Sequence, residues 1–275
     1  MTLLDRDLDI TPAGRAGLAA LLDQPGQALI GLDFDGTMAP IVAEPRDARI
    51  LPALVPVLAR LAGPIGTLAV ITGRPVREAV TFGALTEVPG IVVLGHYGAE
   101  RWADGQITAP DAAPSVQRAR QALPGLLRAA GAPDGTWIED KQHALAVHTR
   151  RTADPQAALE LIRGPLTALA AELDLAAEPG RLVIELRPGR IDKGAALVGL
   201  VRATSASSAV YCGDDLGDLA AFAAVRTLRG EGIPGCTVAS GSQESPAVAA
   251  AADLVVAGPA GIARLLGQIA DALDG

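Results

Sequence analysis

The run Ala28-Leu29-Ile30-Gly31-Leu32 carries no polar side chain, shows no alternation, and stops abruptly at Asp33-Phe34-Asp35-Gly36-Thr37. A strand with one face in water alternates polar and apolar residues, whereas a short run that is apolar throughout suits a strand buried on both faces, inside a helix-covered parallel sheet. Residues 67–72 (TLAVIT) and 208–212 (SAVYC) are runs of the same kind, and they end in Gly73-Arg74 and Gly213-Asp214-Asp215. In open α/β sheets ligands collect outside the carboxyl ends of the strands, so the acids placed there are in position to share one metal ion or one reacting group. Gly36 lets the chain turn sharply and swing backbone N–H groups toward an anion.

The rest of the chain organises around these runs. Helical spacing over residues 52–62 is closed by Gly63-Pro64, a short helix is predicted over 76–82, and 91–95 reads as a third strand; this alternation indicates a parallel sheet with right-handed crossovers. From about Gly98 the pattern changes. Residues 99–102 and 106–108 flank Asp104-Gly105, a hairpin signal. Helices are predicted over 115–130 and 155–173, with strands over 136–140, 144–149 and 181–186. The α/β pattern resumes with helices at 193–201, 216–225 and 261–273 and strands at 236–239 and 254–256. The predicted fold is therefore α/β: a Rossmann-like parallel-sheet core from residues 1–103 and 189–275, with an α+β insertion over 104–188.

Composition excludes several classes of function. With 23 basic against 31 acidic residues the net charge is −8, which argues against nucleic acid or an anionic membrane as a partner, so an anionic substrate must be met by a local basic cluster. No apolar run reaches the ~18 residues of a membrane span. The N-terminus carries Asp5, Asp7 and Asp9 and no secretory h-region, and Cys212 and Cys236 are isolated thiols, so a cytoplasmic protein is expected. Lys141 and Lys193 are the only lysines among the 23 basic residues. A compact ammonium fits beside a carboxylate and a phosphoryl group where a planar guanidinium does not, so both positions invite a specific role.

Four separated motifs carry chemistry. Asp33 and Asp35 end the first strand. Thr72 ends the second as Ile71-Thr72-Gly73-Arg74, offering a hydroxyl beside exposed amides, as in a phosphate site or a plain helix cap. Lys193 opens the helix after the insertion, where it can hold a nucleophilic carboxylate and offset phosphoryl charge. Asp214, Asp215 and Asp218 end the strand at 208–212; three carboxylates within five residues repel one another unless a cation is present, and a hard divalent ion such as Mg2+ resolves that repulsion. A helix start rich in Asp is the structural alternative.

In this order the motifs resemble those of the haloacid dehalogenase-like phosphohydrolases, and the resemblance spans nearly the whole chain. It implies that Asp33 is the nucleophile that becomes phosphorylated and Asp35 the acid/base, with Thr72 and Lys193 completing the catalytic set. It also implies that Asp33, the backbone carbonyl of Asp35 and Asp214 ligate Mg2+, with Asp215 or Asp218 bound directly or one layer further out. The insertion lies where this superfamily places its type 2 cap and is similar to that of trehalose-6-phosphate phosphatases. The matching pieces are LDFDGTMAPIVAEP, VITGRP, Gly95-His96-Tyr97-Gly98-Ala99-Glu100, Glu139-Asp140-Lys141, Val147-His148-Thr149-Arg150 and Val183-Ile184-Glu185-Leu186-Arg187-Pro188, running into Asp192-Lys193-Gly194. That likeness implies a sugar phosphate substrate, trehalose 6-phosphate, faced by Arg74, Glu139, Lys141, Arg150, Glu185 and Arg187, and a functional link to a trehalose-6-phosphate synthase. Another sugar phosphatase of the same cap type, acting on sucrose or mannosylglycerate phosphate, and a non-catalytic sugar-phosphate sensor are the alternatives. The chain departs from the family's pattern at Gly217, Leu219 and Tyr97.

Overall fold

The computed structural model of the chain describes residues 9–42, 44–109, 112–189, 192–241 and 246–274. Asp5 and Asp7, Ala43 of the VAEP piece and Arg190-Ile191 lie outside the described residues. The chain divides into two units, Met1–Thr108 with Asp192–Gly275, and Ala109–Ile191. The first unit begins with α1 (Pro12–Asp23), β1 (Ala28–Leu32), α2 (Leu54–Leu61), β2 (Thr67–Ile71), α3 (Val76–Phe82), β3 (Val92–Gly95), β4 (Glu100–Ala103) and β5 (Gln106–Thr108). The second unit contains α4 (Pro114–Ala129), β6 (Trp137–Asp140), β7 (Leu145–His148), α5 (Pro155–Glu172), β8 (Leu175–Gly180) and β9 (Val183–Pro188). The first unit resumes with α6 (Lys193–Thr204), β10 (Ser208–Gly213), α7 (Leu219–Gly230), β11 (Gly235–Ser240), α8 (Pro246–Ala251), β12 (Leu254–Val256) and α9 (Gly258–Asp274).

The large sheet runs β12-β11-β10-β1-β2-β3-β4-β5, parallel from β12 through β3 and antiparallel at β4 and β5. Every residue of β1 is buried, as its unbroken apolar run requires. Ile30 and Leu32 join one core with Leu18, Leu58 and Leu266, from α1, α2 and α9. Leu29 joins the opposite core with Leu197 and Phe222, from α6 and α7. The chain leaves β1 toward β2 on one side and returns through β10 on the other, so the carboxyl end of β1 is the topological switch point where such sheets bind ligands.

Three elements, α1, β8 and the short helix α8, differ from the sequence expectation. Helix α1 was not anticipated because its apolar stripe is thin, Leu18 and Leu21 preceded on the same buried side by Gly14 and Gly17. It forms because Thr11 Oγ1 caps the Gly14 N–H at 3.0 Å with Pro12 next, and because Gly17 lets the helix lie on β11, where a Cβ would stand 2.1 Å from the Gly235 carbonyl. Strand β8 has weak strand propensity in Ala176-Ala177-Glu178-Pro179-Gly180 and exists through its register with β9. The first unit also extends past the expected boundary at residue 104, to Thr108. Asp104 and Gly105, with φ of 51° and 77°, form a two-residue hairpin that returns β5 onto β4, and so onto the large sheet.

The second unit is a four-stranded antiparallel sheet, β6-β7-β9-β8, covered on one face by α4 and α5. Leu145, Val147, Ile184 and Leu186 enter that core, so by strand alternation Ala146, His148, Glu185 and Arg187 lie on the other face. Among the described residues no helix is long and apolar enough to cross a membrane.

One buried carboxylate ties α1, α7, β11 and β12 together. Asp253 accepts from Thr11 Oγ1 (2.5 Å), from the Thr237 N–H and Oγ1 (both 2.8 Å) and from the Arg229 guanidinium. Burial alone would raise the pKa of Asp253; the bonds from Arg229, Thr11 and Thr237 outweigh it and hold the value below the ordinary carboxylate range. Asp253→Asn is expected to lower the unfolding free energy by about 2 kcal/mol in urea titrations at neutral pH, since Arg229 loses its counter-charge. A carboxylate with a depressed folded pKa stabilises above the unfolded value of about 4 and ceases to as pH falls through the folded value, so the gap between wild type and variant narrows by about pH 3. An unchanged gap at that pH contradicts the assignment.

Candidate active site

The site grows from the end of β1. Asp33 continues the ladder, its N–H donating to the Cys212 carbonyl at 2.9 Å, and Phe34 turns into the core, fully buried, so the acids on either side point elsewhere. Gly36 has φ of 72°, and a Cβ on it would lie 1.9 Å from Asp214 Oδ2. The turn thus demands glycine twice, for its backbone and for the carboxylate packed on it. Thr37 Oγ1 donates to Asp214 Oδ1 at 3.1 Å, and Ser240 Oγ donates to the Gly36 carbonyl at 2.7 Å.

Asp192 caps α6 by accepting from the Ala195 N–H at 2.7 Å, which makes Lys193 the first residue of that helix. Its ammonium is buried, 2.8 Å from Asp33 Oδ1 and 2.8 Å from Asp218 Oδ1, with Asp215 Oδ1 at 3.6 Å. Asp218 takes four donors: Lys193 and the Tyr211 hydroxyl (2.7 Å) on Oδ1, and the N–H groups of Asp214 (2.9 Å) and Asp215 (3.0 Å) on Oδ2. All four of its acceptor positions are used.

Among the described residues, Asp33, Asp214 and Asp218 bring carboxylate oxygens within 4.8 Å of one another. Asp215 stands outside this group, its side chain 63% exposed. Burial drives Asp33 well above the ordinary carboxylate range; Lys193 opposes that, and the other acids add to it. Asp214 is pushed up to about 7 by burial and then by Asp218 and Asp215. Asp218 moves the other way: burial would raise it, but Lys193 and Tyr211 outweigh burial. Lys193 is held well above its usual value, burial being overcome by Asp33 and Asp218. The carboxylate oxygens of this buried cluster are hard ligands of the kind a divalent cation takes.

Thr72 follows β2, the neighbour of β1; it is buried and its Oγ1 accepts from the Arg74 N–H at 3.1 Å. Arg74, expected to face substrate, spends its fork elsewhere. Nε and one terminal nitrogen meet the two oxygens of Asp35, both at 2.7 Å, the same terminal nitrogen meets the Pro45 carbonyl at 2.8 Å, and the other lies 3.4 Å from Glu78. The guanidinium also lies over the rings of Phe34 and Phe82, at 5.2 and 5.5 Å. The sequence reading assigned no role to Tyr211 or Thr37; a hydroxyl inside an otherwise apolar run is the signal that marks Tyr211.

The remaining expected residues belong to the second unit. Register places Glu139, Ala146, Glu185 and Glu178 in one row across the sheet face opposite α4 and α5. Each glutamate has a partner: His148 Nε2 at 2.8 Å from Glu139, Lys141 Nζ at 2.5 Å from Glu185, and Arg187 at 3.3 Å from Glu178. Arg150 is turned toward the His148 ring, at 3.4 Å from Nδ1.

Comparison with known proteins agrees with this geometry. The family model described as trehalose-phosphatase matches residues 31–257. The chain is 30% identical over 224 residues to a probable trehalose-phosphate phosphatase of Sinorhizobium fredii, covering 80% of this chain and 82% of that one. It is 33% identical over 216 residues to a trehalose-phosphate phosphatase of Mycobacterium avium, covering 74% of this chain and 52% of that one, so it spans about half the length of that relative. The C-terminal domain structure of C. albicans trehalose-6-phosphate phosphatase superposes with a TM-score of 0.69 at 20% identity, covering 97% of this chain and 99% of that one, which shows the shared fold. With a family model matched across most of its length and with the strand-end acids and lysine in place, the chain belongs to the trehalose-phosphatase family.

Proposed function

We propose that the protein is a Mg2+-dependent phosphatase that hydrolyses trehalose 6-phosphate to trehalose and inorganic phosphate. The observation that carries the reading is the meeting of Asp33 and Asp214, 181 positions apart in sequence, with oxygens within 4.8 Å and Lys193 2.8 Å from Asp33. In the first step an Asp33 oxygen attacks phosphorus, the bond to the sugar oxygen breaks, and Asp35 gives that oxygen its proton. In the second, water attacks phosphorus, its proton passes to Asp35, and the bond to Asp33 breaks, so the net reaction consumes one water and restores both aspartates. Lys193 offsets the charge that develops on the phosphoryl oxygens, and Thr72, one strand over from Asp33, supplies a hydroxyl donor to the same group. Arg74 acts through Asp35, fixing its carboxylate with a two-point fork, and is a positioning residue.

The acidic cluster fits the metal that the family resemblance implies. Asp33, Asp214 and the backbone carbonyl of Asp35 would hold Mg2+. Asp218, its lone pairs already taken, supports Lys193 and the Asp214-Asp215 backbone, and exposed Asp215 lies at the margin. When bound, such an ion offsets the carboxylate repulsion and draws charge from the phosphoryl oxygens. In the second unit Glu139, Lys141, Glu185 and Arg187 supply the acceptors and donors that sugar hydroxyls require. The substrate must come from a reaction that joins two glucose units, one of them phosphorylated, hence a functional link to a trehalose-6-phosphate synthase. Cys212 and Cys236, both free and buried, support a cytoplasmic site of action.

Phosphate release from a panel of trehalose 6-phosphate, sucrose phosphate, mannosylglycerate phosphate and hexose phosphates tests the substrate; a better rate with any of the others refutes it. Chelation is expected to abolish release and Mg2+ to restore it, while Asp33→Asn abolishes turnover but retains ligand binding, and turnover in that variant overturns the mechanism. Asp218→Asn is expected to lower kcat by about two orders of magnitude, because it removes one of the two carboxylates that fix the Lys193 ammonium. A drop below about threefold shows that Lys193 keeps its place without it.

A further inference from the structure

The three glutamates of the second sheet do not have equivalent partners. Glu185 and Glu178 face full cations, Lys141 and Arg187, whereas Glu139 faces an imidazole. The His148 ring is fixed from three directions. Trp137, its register partner on β6, stacks on it with ring centroids 4.5 Å apart and planes 11° off parallel, and Arg151 lies over the Trp137 ring at 4.2 Å. Arg150, which carries only donors, points one at Nδ1 from 3.4 Å. Nδ1 must therefore be the acceptor, and the ring proton sits on Nε2, directed at Glu139 Oε2 2.8 Å away. Burial first, then the cations Arg150 and Lys141, lower the His148 pKa against the pull of Glu139, which agrees with an uncharged ring.

The consequence concerns Glu139. Its side chain is half-exposed while His148 is buried, so Oε2 is anchored on the ring while the side chain stays open to solvent. A lysine or arginine in place of the histidine would neutralise the carboxylate; a neutral donor orients it and leaves its charge, and so its strength as an acceptor, intact. We infer that His148 is a positioning residue for substrate selection: held as the neutral Nε2–H tautomer between Trp137, Arg150 and Glu139, it aims the Glu139 carboxylate at a hydroxyl of the sugar. This rests on the reading of Glu139 as a sugar contact.

The test measures KM and kcat with trehalose 6-phosphate alongside the tautomer. His148→Phe keeps the stack on Trp137 and removes the donor; KM rises about tenfold and kcat changes by less than about threefold, and His148→Gln, whose amide N–H can reach Glu139, recovers most of the KM loss. In the Glu139→Gln background, His148→Phe changes KM by less than about twofold, because the group it acts through is already altered. Two-bond 1H–15N spectra of 15N-labelled wild type at pH 7 show His148, identified by its loss in the variant, protonated on Nε2 alone, and the signals of His96 and His143 report that the variants are folded. A charged ring, a proton on Nδ1, or a His148→Phe effect that persists in the Glu139→Gln background overturns the inference. A Glu139→Gln variant with wild-type KM overturns the sugar-contact reading itself, which separates the two failures.

Discussion

The ammonium of Lys193 sits between Asp33 and Asp218 at 2.8 Å from each, buried with both of them. An isolated charge in that place would be driven toward neutrality by desolvation. Here each group makes the others tolerable. Asp218 holds its charge because Lys193, Tyr211 and two backbone N–H groups surround it, and Lys193 holds its own because two carboxylates face it. The lysine must therefore come from a capped helix end, Asp33 from the end of β1, and Asp218 from the short helical turn that follows β10. This is what the adjacency of β1 and β10 and the Asp192 cap on α6 provide.

The same interaction explains the turn at Gly36. Asp214 also lies close to Asp33, and its carboxylate occupies the space a side chain at position 36 would need. Thr37 and Ser240 then tie the turn to β10 and β11, so three segments far apart in sequence are locked by groups that are themselves small and neutral. No charge is added to a site whose acids already outnumber its single ammonium.

The strand-end acids were legible in the sequence because two constraints coincide there: a run with no polar residue fixes a strand buried on both faces, and the first acid after it is left at the sheet's carboxyl edge. Lys193 was legible for a related reason, a rare residue type at a helix start. What sequence could not show is which donors an acid has already accepted. Asp215 and Asp218 look alike in GDDLGD, and only the fold separates the saturated one from the exposed one. The fork of Arg74 on Asp35 was not legible either, since a long side chain reaches across a turn whose shape is not encoded in spacing. Helix α1 and strand β8 were missed because their stability comes from contact, glycine on backbone in one and strand pairing in the other, and neither leaves a hydrophobic period.

The two acidic groupings of the chain handle their charge in opposite ways, and the difference separates what each is suited to bind. In the first unit Asp33, Asp214, Asp215 and Asp218 share one ammonium, and Asp214 is pushed up to about 7 by the imbalance. Such a cluster gains most from a divalent cation and little from a neutral ligand. In the second unit each glutamate of the row has its own partner, and buried Ala146 stands in register between Glu139 and Glu185. A cation arriving there would meet charges already balanced or, at Glu139, a single carboxylate turned by a neutral ring. A polyhydroxylated, uncharged surface instead finds oriented acceptors and donors and leaves every ion pair in place. The same residue type, a carboxylate, is thus partnered in two ways, one suited to a divalent cation and the other to neutral hydroxyls.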